Sequence, residues 1–109
     1  MSREPPPLAA APVPDVDRLV HEPARLAILT ALSAATEIEF LFLQKVTTLS
    51  KGNLSSHTQK LEEAGYLKTL KAFRGRSPVT SFRITAAGRT ALDAYRRQMT
   101  AFLDPKSGR

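Results

Sequence analysis

The spacing of the apolar residues changes at Gly65, and this change constrains the fold more than any other feature of the chain. Before Gly65, apolar residues recur every three or four positions, as they do along one face of an α-helix. After it, two segments mix β-forming residues with lysine and arginine, as exposed strands do. The sequence therefore predicts a helical first half followed by a β-hairpin.

The first two predicted helices precede a turn at Thr48 and Leu49. The first covers about Val16–Ala34, with Pro23 as the position of a bend. The second covers about Glu39–Thr47, because Thr36-Glu37-Ile38-Glu39 matches the capping-box pattern of a hydroxyl followed three positions later by a carboxylate. Ile38 fits a short strand equally well, and the two interpretations stay open.

The third predicted helix has a clear start and a clear end. Ser50 is a suitable N-cap residue, and the helix continues over about Lys51–Ala64. Gly65 then ends it, because glycine readily takes the left-handed conformation that follows many helices.

A hairpin and one more helix complete the predicted order. The strands cover residues 66–73 and 79–84, and the basic turn Arg74-Gly75-Arg76-Ser77-Pro78 joins them. Thr85 caps a last helix over about Ala86–Leu103. The order H-H-H-E-E-H predicts a mainly α fold with a small β-hairpin (α+β), which is the winged helix-turn-helix layout.

The chain has room for one domain between two tails. Five of its eight prolines lie in residues 1–14, and residues 104–109 are polar with a proline and a glycine. We therefore expect a disordered Pro/Ala-rich tail over residues 1–15, a winged-helix domain over 16–103 and a disordered tail over 104–109. About 90 residues are enough for a modest core.

The positive charge is concentrated in the middle of the chain. The net charge is +6 over 109 residues, but residues 43–83 carry eight basic and two acidic side chains. Residues 1–42 carry three basic and six acidic ones. A basic segment of this kind favours a polyanionic partner, contacted by the third helix and the hairpin.

Several classes of protein are disfavoured by the composition. The chain has no cysteine, which excludes a disulfide framework, a thiolate nucleophile and a cysteine-ligated metal site. No apolar run approaches the ~20 residues of a membrane span. His21 and His57 stand in no metal-binding or catalytic motif. We expect a cytoplasmic protein that is not an enzyme and needs no cofactor or metal.

The third helix presents a polar face that carries no carboxylate. At 100° per residue, Asn53, Ser56, His57 and Lys60 lie within about 100° of one another. These side chains can address base edges in the major groove of DNA, while Lys51 and the N-terminal N–H groups of the helix suit phosphates. The alternative is an ordinary solvated face, although both glutamates of this helix are confined to its last turn.

The turn of the hairpin carries two arginines around a glycine. Arg74 and Arg76 suit a narrow minor groove or the phosphate backbone. The alternative is a soluble loop whose basic residues protect a strand edge from aggregation.

The last helix is longer than a domain of this size can cover. At 1.5 Å per residue its ~18 residues span about 27 Å. The alternative is that Leu92, Tyr95, Met99 and Phe102 simply pack on the first helix, which accounts for the first two turns. We expect the distal half to join a partner subunit, through Tyr95, Met99, Phe102 and Leu103.

These residues resemble winged-helix transcriptional regulators of the ArsR and MarR kind, and most closely a family of short, stand-alone winged-helix DNA-binding domains. The resemblance covers about Asp17 to Tyr95. It is carried by residues 49–66 and by the flanking motifs His21-x-Pro23-x-Arg25-x-x-Ile28-Leu29, Phe40-x-x-Leu43, Phe73-Arg74-Gly75-Arg76-Ser77-Pro78-x-Thr80-x-Phe82-Arg83-Ile84-Thr85 and Gly88-Arg89-x-Ala91-Leu92. One departure is Thr58, which stands where the family usually has a branched aliphatic residue.

The resemblance implies a homodimer that binds double-stranded DNA with sequence specificity and regulates transcription. It implies a major-groove role for the third helix and a minor-groove role for the predicted hairpin of residues 66–84, which is the wing of this fold. It also adds Ser55 and Gln59 to the DNA-contacting residues. The full predicted set is Lys51, Asn53, Ser55, Ser56, His57, Gln59, Lys60, Arg74 and Arg76. The alternative function is a winged-helix module that binds a protein or structured RNA, because the fold alone does not decide between them.

Overall fold

The structure, a computed structural model, describes residues 15–104. The rest of the two predicted disordered tails, residues 1–14 and 105–109, lies outside the described residues. The elements in chain order are α1 (Pro23–Ser33), β1 (Ile38–Glu39), α2 (Phe40–Thr47), α3 (Lys51–Glu63), β2 (Leu67–Arg74), β3 (Ser77–Ile84) and α4 (Ala86–Leu103). The predicted fold class is confirmed, and one short strand is added to the predicted order.

The first helix is shorter than predicted, because residues 15–22 form a turn. The Asp17 carboxylate accepts hydrogen bonds from the N–H groups of Leu19 (2.9 Å) and Val20 (3.4 Å), which holds the backbone out of a helix. Tyr66 donates its hydroxyl to the other oxygen of Asp17, and this bond is the main reason that the pKa of Tyr66 is raised. The Val16–Ala34 prediction is therefore wrong over its first seven residues.

The helix proper begins where Glu22 caps it. The Glu22 side chain accepts a hydrogen bond from the backbone N–H of Arg25, and Pro23 occupies the first turn, where its missing N–H costs nothing. Ile28, Leu29 and Leu32 form its buried face.

The open question at Ile38 is decided in favour of a strand. Ile38 pairs with Phe82 and Glu39 with Ser81, so β1 adds a short antiparallel strand to the hairpin. The sheet order is β1-β3-β2. The predicted capping box does not form, since Glu39 is the N-cap residue of α2 and its side chain makes no capping bond.

The core lies between the helices and one face of the sheet. It includes Leu43 from α2, Leu54 and Leu61 from α3, Phe82 from the sheet and Leu92 from α4. All of these side chains are at most 3% exposed. This core fixes α3 against α1 and the sheet, which leaves the opposite side of α3 exposed.

Candidate nucleic-acid interface

Helix α3 has a capped N-terminus and one buried side. The Ser50 hydroxyl caps it by accepting from the N–H of Asn53 (3.1 Å), and Gly65 follows its end with a φ of +81°. Thr58, the residue that departs from the family pattern, is 4% exposed. Its hydroxyl donates to the carbonyl oxygens of Leu54 (2.9 Å) and Ser55 (3.1 Å), so the polar atom is satisfied within the helix and the packing accepts it.

Most of the predicted DNA-contacting residues of α3 are exposed. They are Lys51, Asn53, Ser55, Ser56, Gln59 and Lys60. Glu62 and Glu63 follow in the last turn, where Glu62 accepts a hydrogen bond from Thr69 of β2 (2.8 Å) and Glu63 lies 3.5 Å from Gln59. The N-terminal two-thirds of the exposed face is therefore free of carboxylates.

His57 differs from the other predicted contacts. Its side chain is only 19% exposed, and its Nδ1 lies 3.2 Å from a guanidinium nitrogen of Arg25 and 4.0 Å from the Glu22 carboxylate. The helical wheel placed His57 on the open face, whereas its ring lies at the border with α1. Sequence reasoning missed Arg25, because 32 residues separate it from His57 and no local pattern links them.

The wing is a regular hairpin with a two-residue turn. Arg74 pairs with Ser77, so Gly75 and Arg76 form the turn, and Gly75 has a φ of +64°. Arg76 has no positive φ, and a positive φ at the first turn residue alone is typical of a type II′ turn, which matches the twist of the flanking strands. Arg74, Gly75 and Arg76 are all exposed at the tip.

The two wing arginines have different surroundings. Arg74 donates to the Glu39 carboxylate of β1, and this hydrogen bond together with the opposite charge raises the pKa of the guanidinium. Arg76 has no side-chain partner among the described residues. We therefore distinguish a tethered arginine on the strand from a projecting one at the turn.

A groove of about 630 Å³ lies between α3 and the wing. Its polar lining includes Lys51, Ser55, Gln59 and Glu62 from α3, Lys71 and Arg74 from the hairpin, and Glu39 from β1. Sequence reasoning missed Lys71, although strand parity places it on the same face of β2 as Thr69, which also lines the groove. Ser55 and Gln59, which came from the resemblance and not from the wheel, thus face the wing.

The distal half of α4 is divided between core and surface. Tyr95 is 8% exposed, and its hydroxyl lies 2.7 Å from Nδ1 of His21. Met99 packs against the edge of the core, whereas Phe102 and Leu103 are 42% and 72% exposed. Tyr95, predicted to face a partner, therefore lies inside the core of its own chain.

Within residues 15–104, no helix is both long and apolar enough to cross a membrane. In the same part of the chain, no three His, Cys, Asp or Glu side chains come together as a group that could hold a metal ion.

Known proteins resemble both the sequence and the fold. A family model described as a winged helix DNA-binding domain matches residues 24–103. An uncharacterized protein of Methanocaldococcus jannaschii is 33% identical over 78 residues, which make up 72% of this chain and 85% of that protein. The structure of a transcriptional regulator homologue from Pyrococcus horikoshii has a TM-score of 0.77 and 32% identity, and covers 82% of this chain and 88% of its own.

More distant structures share the fold. A mutant MarR from E. coli, complexed with operator DNA, has a TM-score of 0.65 and 18% identity over 83% of this chain and 69% of its own. A MarR-family regulator from Silicibacter pomeroyi has a TM-score of 0.63 and 21% identity over 82% of this chain and 59% of its own. From the family match over most of its length, the chain belongs to the winged helix DNA-binding domain family.

Proposed function

We propose that this protein is a transcriptional regulator that binds an inverted repeat in double-stranded DNA as a homodimer. In this proposal α3 enters the major groove, and the wing contacts the adjacent minor groove and backbone. The observation that carries it is the groove between α3 and the wing, where Lys51, Lys71 and Arg74 lie beside the polar side chains of α3. The two carboxylates of the lining, Glu39 and Glu62, are hydrogen-bonded within the chain. The E. coli MarR of the same fold is complexed with operator DNA, which supports duplex DNA as the partner.

The exposed side chains of α3 divide into two proposed roles. An α-helix fits the major groove, where base edges offer both donors and acceptors. We assign base contacts to the exposed residues that can donate and accept, which are Asn53, Ser55, Ser56 and Gln59. We assign phosphate contacts to Lys51 and Lys60 and to the capped N-terminus of the helix.

The proposed dimer is formed through the distal end of α4. Its apolar side continues past Tyr95 to Met99, Phe102 and Leu103, and the last two find little cover within the described part of the chain. Pairing two such ends around a twofold axis would bury them. Two α3 helices set about 34 Å apart by such an axis would reach successive major grooves on one side of the DNA.

Selection of bound sequences from a random duplex pool tests this function directly. We expect the enriched sequences to share a palindromic consensus, because a symmetric dimer contacts two equal half-sites. A single unrepeated motif would contradict the dimer but leave duplex reading intact. If no duplex sequence is enriched and the protein binds structured RNA as well as duplex DNA, the RNA-binding alternative is favoured. If it binds no nucleic acid, the protein-binding alternative is favoured.

A second prediction concerns the contribution of the wing to the salt dependence of DNA affinity. Replacing Arg74 and Arg76 together with alanine should weaken binding to all duplexes. Because the dimer then loses four arginines and each phosphate contact contributes about 0.9, the slope of log affinity against log salt should fall by about 3.6. The measurement is a titration of the selected operator at several salt concentrations.

The matched control removes the same charge elsewhere. Arg89 and Arg97 are exposed on α4, outside α3 and the wing. Their double replacement with alanine should leave the slope nearly unchanged. If both double variants reduced the slope equally, net charge and not the wing would explain the effect.

A further inference from the structure

The Arg25 side chain connects three separate parts of the fold. Its Nε donates to the carbonyl oxygen of Leu19 (2.6 Å), and its Nη1 lies 3.2 Å from Nδ1 of His57 on α3. Its own backbone N–H donates to the Glu22 carboxylate (2.7 Å). Arg25 is partly buried and held by the turn before α1, so the position of its guanidinium is fixed from both sides.

This contact determines where the proton of the His57 ring lies. A guanidinium has five N–H donors and no acceptor, and it is not deprotonated in proteins. A hydrogen bond between Nη1 and Nδ1 therefore requires Nδ1 to accept. The neutral ring must then carry its proton on Nε2.

Nε2 is the ring nitrogen of His57 that is available to an external hydrogen-bond partner. It has no hydrogen-bond partner among the described residues, and the same residues contain no buried polar side-chain atom without a partner. Nε2 of this partly exposed ring is therefore open to solvent. Asn53 and Lys60 stand four residues before and three residues after it, on the same side of α3.

We propose that Arg25 is a positioning residue for DNA recognition, which fixes His57 as a hydrogen-bond donor toward the DNA. The ring would present only an N–H, so it would bind an acceptor and reject a donor. Acceptors in the major groove are guanine O6 and N7, adenine N7 and thymine O4, and phosphate oxygens accept as well. The proposal rests on the duplex-binding function proposed above and adds to it a residue outside α3 and the wing.

Two amide substitutions separate the donor role from a purely structural one. The His57→Gln side chain can place an N–H near the position of Nε2, whereas the His57→Asn side chain can place an acceptor near Nδ1. If Nε2–H contacts DNA, H57Q should retain most of the affinity and H57N should lose about tenfold. If His57 serves only as a partner for Arg25, H57N should bind normally and H57Q should be as weak as H57A. That second result would overturn the proposal.

A third variant tests whether Arg25 acts through His57. Arg25→Met removes the donors but keeps an unbranched apolar chain in place of the arginine stem. We expect R25M to weaken operator binding, and the R25M/H57N double variant to bind no worse than H57N alone. Additive losses would mean that the two residues act independently, which contradicts the proposal. Unfolding curves identify any variant that fails to fold. If R25M fails to fold, the comparison of H57Q with H57N still tests the proposal.

The state of the ring is measured without DNA. Nitrogen-15 spectra of the full chain at alkaline pH, where imidazoles are neutral, should show His57 protonated at Nε2 and bare at Nδ1. In R25M the Nδ1 signal should move toward that of a nitrogen without a hydrogen bond. A proton on Nδ1 in the unsubstituted protein would overturn the Arg25 contact. Failure of the unsubstituted protein to bind any duplex would instead overturn the proposed function, with the ring measurement unaffected.

Discussion

Replacing Gly88 with alanine is expected to lower the free energy of unfolding by about 3 kcal/mol, at the upper end of the usual cost of overpacking. A Cβ at this position would lie 2.1 Å from the carbonyl oxygen of Tyr66 and 2.9 Å from Cγ1 of Ile84. Moving the carbonyl away would cost the hydrogen bond that it accepts from the N–H of Thr85 at the start of α4 (3.0 Å). α4 would have to move away from the sheet, and urea unfolding measures the loss.

Gly52 provides the control, since it is also a glycine inside a helix. No atom lies within 4 Å of a Cβ built there, and the residue is exposed on α3. Helix propensity alone predicts that alanine stabilises either position by about 1 kcal/mol. We expect that gain for Gly52→Ala and the opposite sign for Gly88→Ala. Equal stability of the two variants would show that α4 does not pack this closely on Tyr66.

Local signals were sufficient for most of the architecture. Ser50 and Gly65 mark the two ends of α3, and the structure has α3 between them. The hairpin and α4 follow the same logic, because Gly75 allows the tight turn and Thr85 caps the helix by accepting from the N–H of Gly88 (3.0 Å). Each of these features depends on residues within a few positions of one another, which a single sequence displays.

The two errors in the fold have different origins, one a contact between distant positions and the other a local hydrogen bond. β1 exists because Ile38 pairs with Phe82, and this pairing defeats the local capping-box pattern. The segment before Pro23 has apolar residues at helical spacing, but Asp17 binds its backbone into a turn. Neither the pairing of Ile38 with Phe82 nor the side-chain bonds of Asp17 has a signature in the periodicity of apolar residues.

Local periodicity also explains which parts of the candidate site were predicted correctly and which were not. A helical wheel separates the buried Leu54 from the exposed Asn53 and Lys60, and the structure agrees with that division. The wheel does not include the neighbouring helix, so it placed His57 in the open although Arg25 covers one side of its ring. Likewise Tyr95 continues the apolar stripe of α4, and only the fold assigns it to the core.

Replacing Phe102 and Leu103 together with glutamine is expected to convert the proposed dimer into a monomer. These side chains are 42% and 72% exposed at the end of α4, where only a partner subunit would cover them in our proposal. Glutamine keeps the helix propensity and removes the apolar surface. A monomer reaches one half-site at a time, so affinity for the full inverted repeat should fall about 100-fold or more. Sedimentation velocity and operator titration measure the two effects.

The chain contains a matched control pair of the same residue types. Leu41 and Phe42 are 76% and 59% exposed on α2, remote in sequence from the end of α4. Their replacement with glutamine removes a comparable apolar surface, and it should leave the protein dimeric. If this pair abolished the dimer and the α4 pair did not, the interface would lie on α2, and the two α3 helices would have a different separation.

If the unsubstituted protein sedimented as a monomer at the concentrations that bind DNA, an inverted repeat would have no structural basis. Half-site spacing in the selected sequences therefore gives an independent check, because only a fixed dimer imposes one spacing on every bound duplex.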